Sequence, residues 1–198
     1  MFDELEGPED SDTVFRDVIM LALIGFVAMV VMLLPHVQAA KTEAQDHKPP
    51  GNLIVEMHWP TTMPYDVDLW VQGPNSGPVG FWNKGNEVFD LLRDDLGGEG
   101  DATNLNYEIA YTRGIIAGDY TVNAHMYGRI PPGTVVPVRF VVSIRTQFDD
   151  TRQLLQSTVK LTRHNEERTA FRFRLTKDGD IVKDSVSTLY RPLITQKM

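Results

Sequence analysis

The 198-residue chain has no cysteine, which excludes disulfides and thiolate metal sites. It also lacks a catalytic constellation. Its five histidines, His36, His47, His58, His125 and His164, show neither HExxH nor paired spacing, no glycine-rich phosphate loop follows a strand pattern, and no nucleophile elbow occurs. No enzyme is expected. A basic excess is missing too: the net charge is −8, and residues 51–198 carry sixteen Lys/Arg against eighteen Asp/Glu, a balance that gives nucleic-acid binding no support. Only one stretch, residues 18–34, runs seventeen residues without a charge, and it divides the chain.

Seventeen helical residues span about 25 Å, and counting from Val14 extends them across a hydrocarbon core of roughly 30 Å. The sequence therefore predicts an acidic N-terminal segment (1–13), a transmembrane helix (14–35), a polar tether ending in Pro-Pro (36–50) and a folded domain (51–198). The tether reading rests on small polar residues followed by prolines that stop a helix and favour extended backbone. A signal peptide is the competing reading of the N-terminus, because Val37-Gln38-Ala39 before Ala40 has cleavage-site spacing. Six acids against one Arg in residues 1–16 argue for a retained anchor instead, since a signal peptide begins with a basic segment and has a shorter apolar core.

Asp17 lies just inside the start of this helix. A carboxylate costs up to about 2.5–3.5 kcal/mol at a bilayer centre and less near the edge, so its retention there is a functional signal. The plainer reading is a helix-end residue at the headgroups. Ala22, Gly25 and Ala28 offer small side chains for close helix approach, although such residues are common in any membrane helix.

From residue 51 the hydrophobic period changes to two. Val67, Leu69 and Val71 alternate with Asp66, Asp68, Trp70 and Gln72, and similar alternation runs through residues 121–126, 138–145 and 171–175. Turn signals such as Gly73-Pro74-Asn75 and Lys177-Asp178-Gly179-Asp180 separate these runs. The expected domain is an antiparallel β-sandwich of about seven to nine half-buried strands, with a short helix plausible only over residues 87–95.

Asp66 and Asp68 share a strand face through their spacing of two, and with Asp101, or with Asp94, Asp95 or Asn104, they would supply hard oxygen ligands for Ca²⁺. Alternating acids are also the ordinary solvated face of a strand. His58 and His125 are expected on outward faces. Trp59, Trp70 and Trp82 would make either an exposed platform for sugars or ordinary buried packing. Residues 51–138 carry eleven acids and four bases, and residues 139–198 seven acids and twelve bases. That asymmetry means cross-strand charge pairing or a basic edge formed by Arg139, Arg145, Arg172 and Arg174.

The pattern Phe15-x-Asp17-Val18-x-x-Leu21, followed by an apolar run to Pro35, resembles the transmembrane helix of the ExbD/TolR family and, more distantly, MotB. The resemblance covers residues 13–35. It implies a single-pass subunit of an ion-driven motor, with Asp17 carrying H⁺ or Na⁺, two copies of the chain inside five copies of a multispanning ExbB/TolQ/MotA-like partner, and residence in a bacterial inner membrane. The N-terminus would then be cytoplasmic and the C-terminal domain periplasmic, holding an unidentified target. The Lys/Arg count leans the other way by one residue, with Lys41 and Lys48 after the helix and Arg16 before it. Asp66-Val67-Asp68-Leu69-Trp70-Val71 and residues 118–127 are similar to a YfaP-like β-sandwich module, with Trp70 where that pattern has His and an Asp/Gly-rich stretch at residues 97–104. This departs from the smaller α/β domains of ExbD and TolR, so their partner contacts do not transfer. The alternative function is a passively anchored β-sandwich module for binding or adhesion, without ion transport.

Overall fold

A computed structural model describes residues 9–33, 50–98, 105–146 and 150–194. The chain divides into two compact units, Met1–His47 and Lys48–Met198.

Among its described residues the first unit forms one helix, α1 (Glu9–Leu33). Within it, Thr13–Leu33 has a mean hydropathy of 2.3 over 21 residues, about 32 Å of helix and enough to cross a bilayer. Side chains from 13 to 33 are exposed on all faces. A helix that is apolar all round belongs in lipid or in a core.

Among its described residues the second unit is all-β, with eight strands: β1 (Leu53–His58), β2 (Val67–Gln72), β3 (Phe89–Arg93), β4 (Tyr107–Thr112), β5 (Gly118–Met126), β6 (Val136–Arg145), β7 (Thr151–Leu161) and β8 (Glu167–Leu175). They form a five-stranded sheet in the order β3-β4-β1-β6-β7 and a three-stranded sheet in the order β2-β5-β8, with antiparallel pairing throughout. The alternating apolar residues of both sheets share one core. Leu53, Val55 and Met57 of β1 and Val138, Phe140 and Val142 of β6 join Leu69, Val71, Val122, Phe171 and Phe173 there. Tyr120 stacks on Phe173 at 5.2 Å and donates its hydroxyl to the Ile116 carbonyl at 2.6 Å. Burial pushes its phenol up to about 12.

Two expectations are corrected here. The short helix over residues 87–95 is instead β3, in which Phe89 and Leu91 turn inward while Leu92 is exposed. The second correction concerns β2, which is buried on both faces rather than half-buried. Its outer residues Asp68 and Trp70, and their cross-strand partners His125 and Asn123, are all buried. The segment around residues 80–82 covers Trp70, and the Arg191 carbonyl accepts from Asn123 Nδ2 at 2.8 Å. A strand's alternation reports which side chains oppose the core, but it is silent about loops that return over the other face.

Candidate functional site

Asp17 sits on α1 as the fifth residue of the 21-residue apolar span. At 1.5 Å per residue this is about 6 Å inside its start, with Arg16 as its immediate neighbour. At about 100° per residue, Ala28 lies within about 20° of Asp17 around the helix, whereas Gly25 is about 80° and Ala22 about 140° away. Ala28 therefore shares the Asp17 face, whereas Gly25 and Ala22 wind off it. A side chain added at Gly25 would meet nothing within 4 Å.

In the β domain, chemistry concentrates beside β2. Asp68 Oδ2 lies 2.9 Å from His125 Nδ1, and both residues are buried. Glu108 comes across from β4. Its Oε2 accepts the Leu69 N–H at 2.7 Å and its Oε1 accepts the Asp95 N–H at 3.1 Å, which ties the three-stranded sheet to the loop after β3. Asp95 is held by Arg93 at 2.6 Å and by the Gly97 N–H at 2.9 Å. The Arg93 guanidinium also lies over the Tyr107 ring, 4.2 Å from its centroid. Asp94 pairs with Lys84 at 2.9 Å. Gly97 has a φ of +65°, and a Cβ there would collide with the Tyr65 carbonyl, so the loop needs glycine.

Oxygens of Asp68, Asp94 and Glu108 lie within 4.8 Å of one another, a spacing that a hard divalent cation can bridge. Asp66 borders this triplet from the residue before β2, while Asp101 lies outside the described residues. Crowded acids in a poorly hydrated place resist ionisation. Burial chiefly, then the charges of Asp68, Asp94 and Asp95, pushes Asp66 up to about 7, with His125 opposing. Asp68 is raised by burial and by Asp94, against its hydrogen bond to His125. Burial drives Glu108 well above the usual carboxylate range despite its two backbone donors. Asp66 Oδ1 is buried with no hydrogen-bond partner among the described residues. The arrangement can hold protons or a cation near neutrality.

His125 joins this cluster to an aromatic one, its ring 6.4 Å from that of Tyr127. Tyr127 contacts Phe81 at 5.3 Å, and Trp82 packs on Trp70 at 4.3 Å. Trp70 and Trp59 are buried, whereas Trp82 and Tyr127 are 57% and 51% exposed. An aromatic surface thus exists, but Trp82 is the one tryptophan of the three that contributes to it. His58 is exposed as expected, and His125 is buried. Arg139 and Arg145 belong to β6, an interior strand of one sheet, and Arg172 and Arg174 to β8 of the other, so the four do not share an edge. Arg174 instead makes a two-pronged pair with Asp119 of β5, at 2.8 and 3.0 Å, the cross-strand pairing that the charge asymmetry allowed.

Compared with protein-family models, curated proteins and solved structures, the chain matches none.

Proposed function

We propose that this chain is the single-pass subunit of an ion-driven membrane motor, in which Asp17 carries a proton, with Na⁺ as the other ion considered. The observation that carries the reading is a carboxylate inside a continuous apolar helix long enough to span a bilayer. Asp17 would alternate between a neutral form against neighbouring helices and a charged form facing a watery path. Each unit charge moved across the membrane supplies about 2.3 kcal/mol per 100 mV.

A lone helix provides no such path, so the reading requires a multispanning partner of the ExbB/TolQ/MotA kind, five copies around two of this chain. The N-terminus would lie in the cytoplasm and the β domain, which we read as a β-sandwich, in the periplasm. The sequence resemblance over residues 13–35 supports this assignment. The test is ion flux through liposomes containing the chain and its multispanning partner. Asp17→Asn should abolish flux while leaving the assembly intact, and Asp17→Glu should restore part of it. Undiminished flux in Asp17→Asn would remove Asp17 from the mechanism.

A second reading makes the chain a passively anchored binding module. The exposed Trp82 and Tyr127 beside buried carboxylates favour it. It requires that Asp17→Asn leave function intact and that the chain leave the membrane without a multispanning partner.

A further inference from the structure

A sheet edge presents unpaired N–H and C=O groups, and proteins usually cover it. Two sheets have four edges, and described segments of the chain cover three of them. Outside β3, the Leu91 N–H bonds to the Lys84 carbonyl at 2.8 Å and the Asn86 N–H to the Phe89 carbonyl at 2.9 Å. Outside β2, Val71 and Val79 exchange backbone bonds of 2.9 and 2.8 Å, and Glu108 takes the Leu69 N–H. Outside β8, Arg172 and Ser187 exchange bonds of 2.7 and 2.8 Å, and the Val182 N–H reaches the Arg174 carbonyl at 2.8 Å. The fourth edge belongs to β7, the longest strand at 11 residues, and among the described residues nothing pairs with its outer side.

The two ends of β7 differ. Toward its start the ladder with β6 is broken by a bulge at Leu154, and Arg152 is drawn to Asp180 at 2.8 Å. Bulges and charges of this kind guard an edge. From Leu155 to Leu161 the ladder is unbroken, seven residues or about 24 Å of regular strand. This half borders a cleft of about 880 Å³ lined by Ser157, Thr158, Lys160, Arg163, Arg168 and Tyr190 among others.

The charge of the cleft is one-sided. Its two carboxylates are already engaged. Glu166 accepts from the Thr162 and Arg163 backbone and from Arg168, and Glu167 accepts from Asn123, the Leu193 N–H and the Tyr190 hydroxyl. Lys160 and Arg163 have no carboxylate partner among the described residues. β7 itself contains Arg152 and Lys160 and no acid. Antiparallel self-pairing along the whole strand, about Gln156, would set Arg152 opposite Lys160 and meet the bulge at Leu154, and self-pairing of residues 155–161 alone, about Thr158, would set Lys160 opposite Gln156 and give it no carboxylate.

We propose that residues 155–161 are a docking edge for an extended acidic segment of another protein, which adds a sixth strand to the five-stranded sheet and places carboxylates against Lys160 and Arg163. Main-chain bonds would supply affinity and the two cations would select sign. This stands whether or not Asp17 carries an ion.

The test is hydrogen exchange of the full-length chain in detergent, with a blocked heptapeptide alternating glutamate and valine as the probe. Added at millimolar concentration, it should protect residues 155–161. A lysine-valine heptapeptide should not, nor should the glutamate peptide N-methylated at every second residue. Lys160→Glu with Arg163→Glu should weaken the glutamate peptide roughly tenfold, since both pairs turn repulsive. Absence of protection, or equal protection by the lysine peptide, would overturn the proposal. So would peptide-free protection of β7 that grows with chain concentration, which would give the edge to a second copy.

Discussion

Replacing Asp66 with asparagine should stabilise the β domain at both pH 5 and pH 8, and roughly twice as much or more at pH 8. The folded domain holds the Asp66 proton up to about pH 7, while the unfolded chain releases it near the ordinary value of 3.8. Between those limits the folded state binds more protons, so stability falls as pH rises, and the loss is complete above pH 7. At about 1.36 kcal/mol per pH unit, the unscreened ceiling is about 4 kcal/mol. Asp66 is only half-buried, and water screens part of that cost, so about 2 kcal/mol is the expected penalty. Asparagine never ionises and keeps the backbone carbonyl that accepts from the Tyr127 and Gly128 amides at 3.1 and 3.3 Å. Thermal unfolding of the full-length chain, followed by near-ultraviolet circular dichroism, reads the difference directly. For a domain of this size, 2 kcal/mol corresponds to a rise of about 4–8 °C at pH 8. Asp68 and Glu108 tilt the wild-type profile in the same direction, so the variant minus wild-type difference isolates Asp66. Equal shifts at both pH values, or a larger shift at pH 5, would refute the reasoning.

Gly80→Ala would set a Cβ 2.6 Å from the Trp70 ring, and overpacking of this kind costs about 1–3 kcal/mol, measurable as a lower urea midpoint with an unchanged slope. Gly97→Ala forces a left-handed backbone on alanine as well as the collision with the Tyr65 carbonyl. It should cost about 1–3 kcal/mol in the same assay. Tyr120→Phe deletes the hydroxyl that reaches the Ile116 carbonyl and should lower stability by about 0.5–1.5 kcal/mol, with no effect on the peptide probe at the β7 edge.

How much of this was legible in the sequence follows from which contacts are local. The α1 span announces itself because seventeen uncharged residues have few alternatives, and β2, β5, β6 and β8 show their inner faces through alternation. Alternation did not reveal β7. As an edge strand it reads Thr-Arg-Gln-Leu-Leu-Gln-Ser-Thr-Val-Lys-Leu, with a bulge in the middle of the pattern. The carboxylates around Asp68 are only partly legible: Asp94 follows as a loop ligand from its acidic neighbourhood, whereas Glu108 arrives from the other sheet. A signal for Glu108 did exist: an acid in register with Ala110 and Thr112 on a strand face that is otherwise buried. The covering of Trp70, Asn123 and His125 depends on segments far along the chain, which no local period encodes.

The central claim, that α1 works inside an ion-conducting assembly, is tested most directly by native mass spectrometry of the chain extracted from its own membrane with its lipids retained. The account predicts a complex of two copies of this chain with five of a multispanning protein, and the same mass for Asp17→Asn. Release of the chain alone, with α1 bearing only lipid, would contradict it.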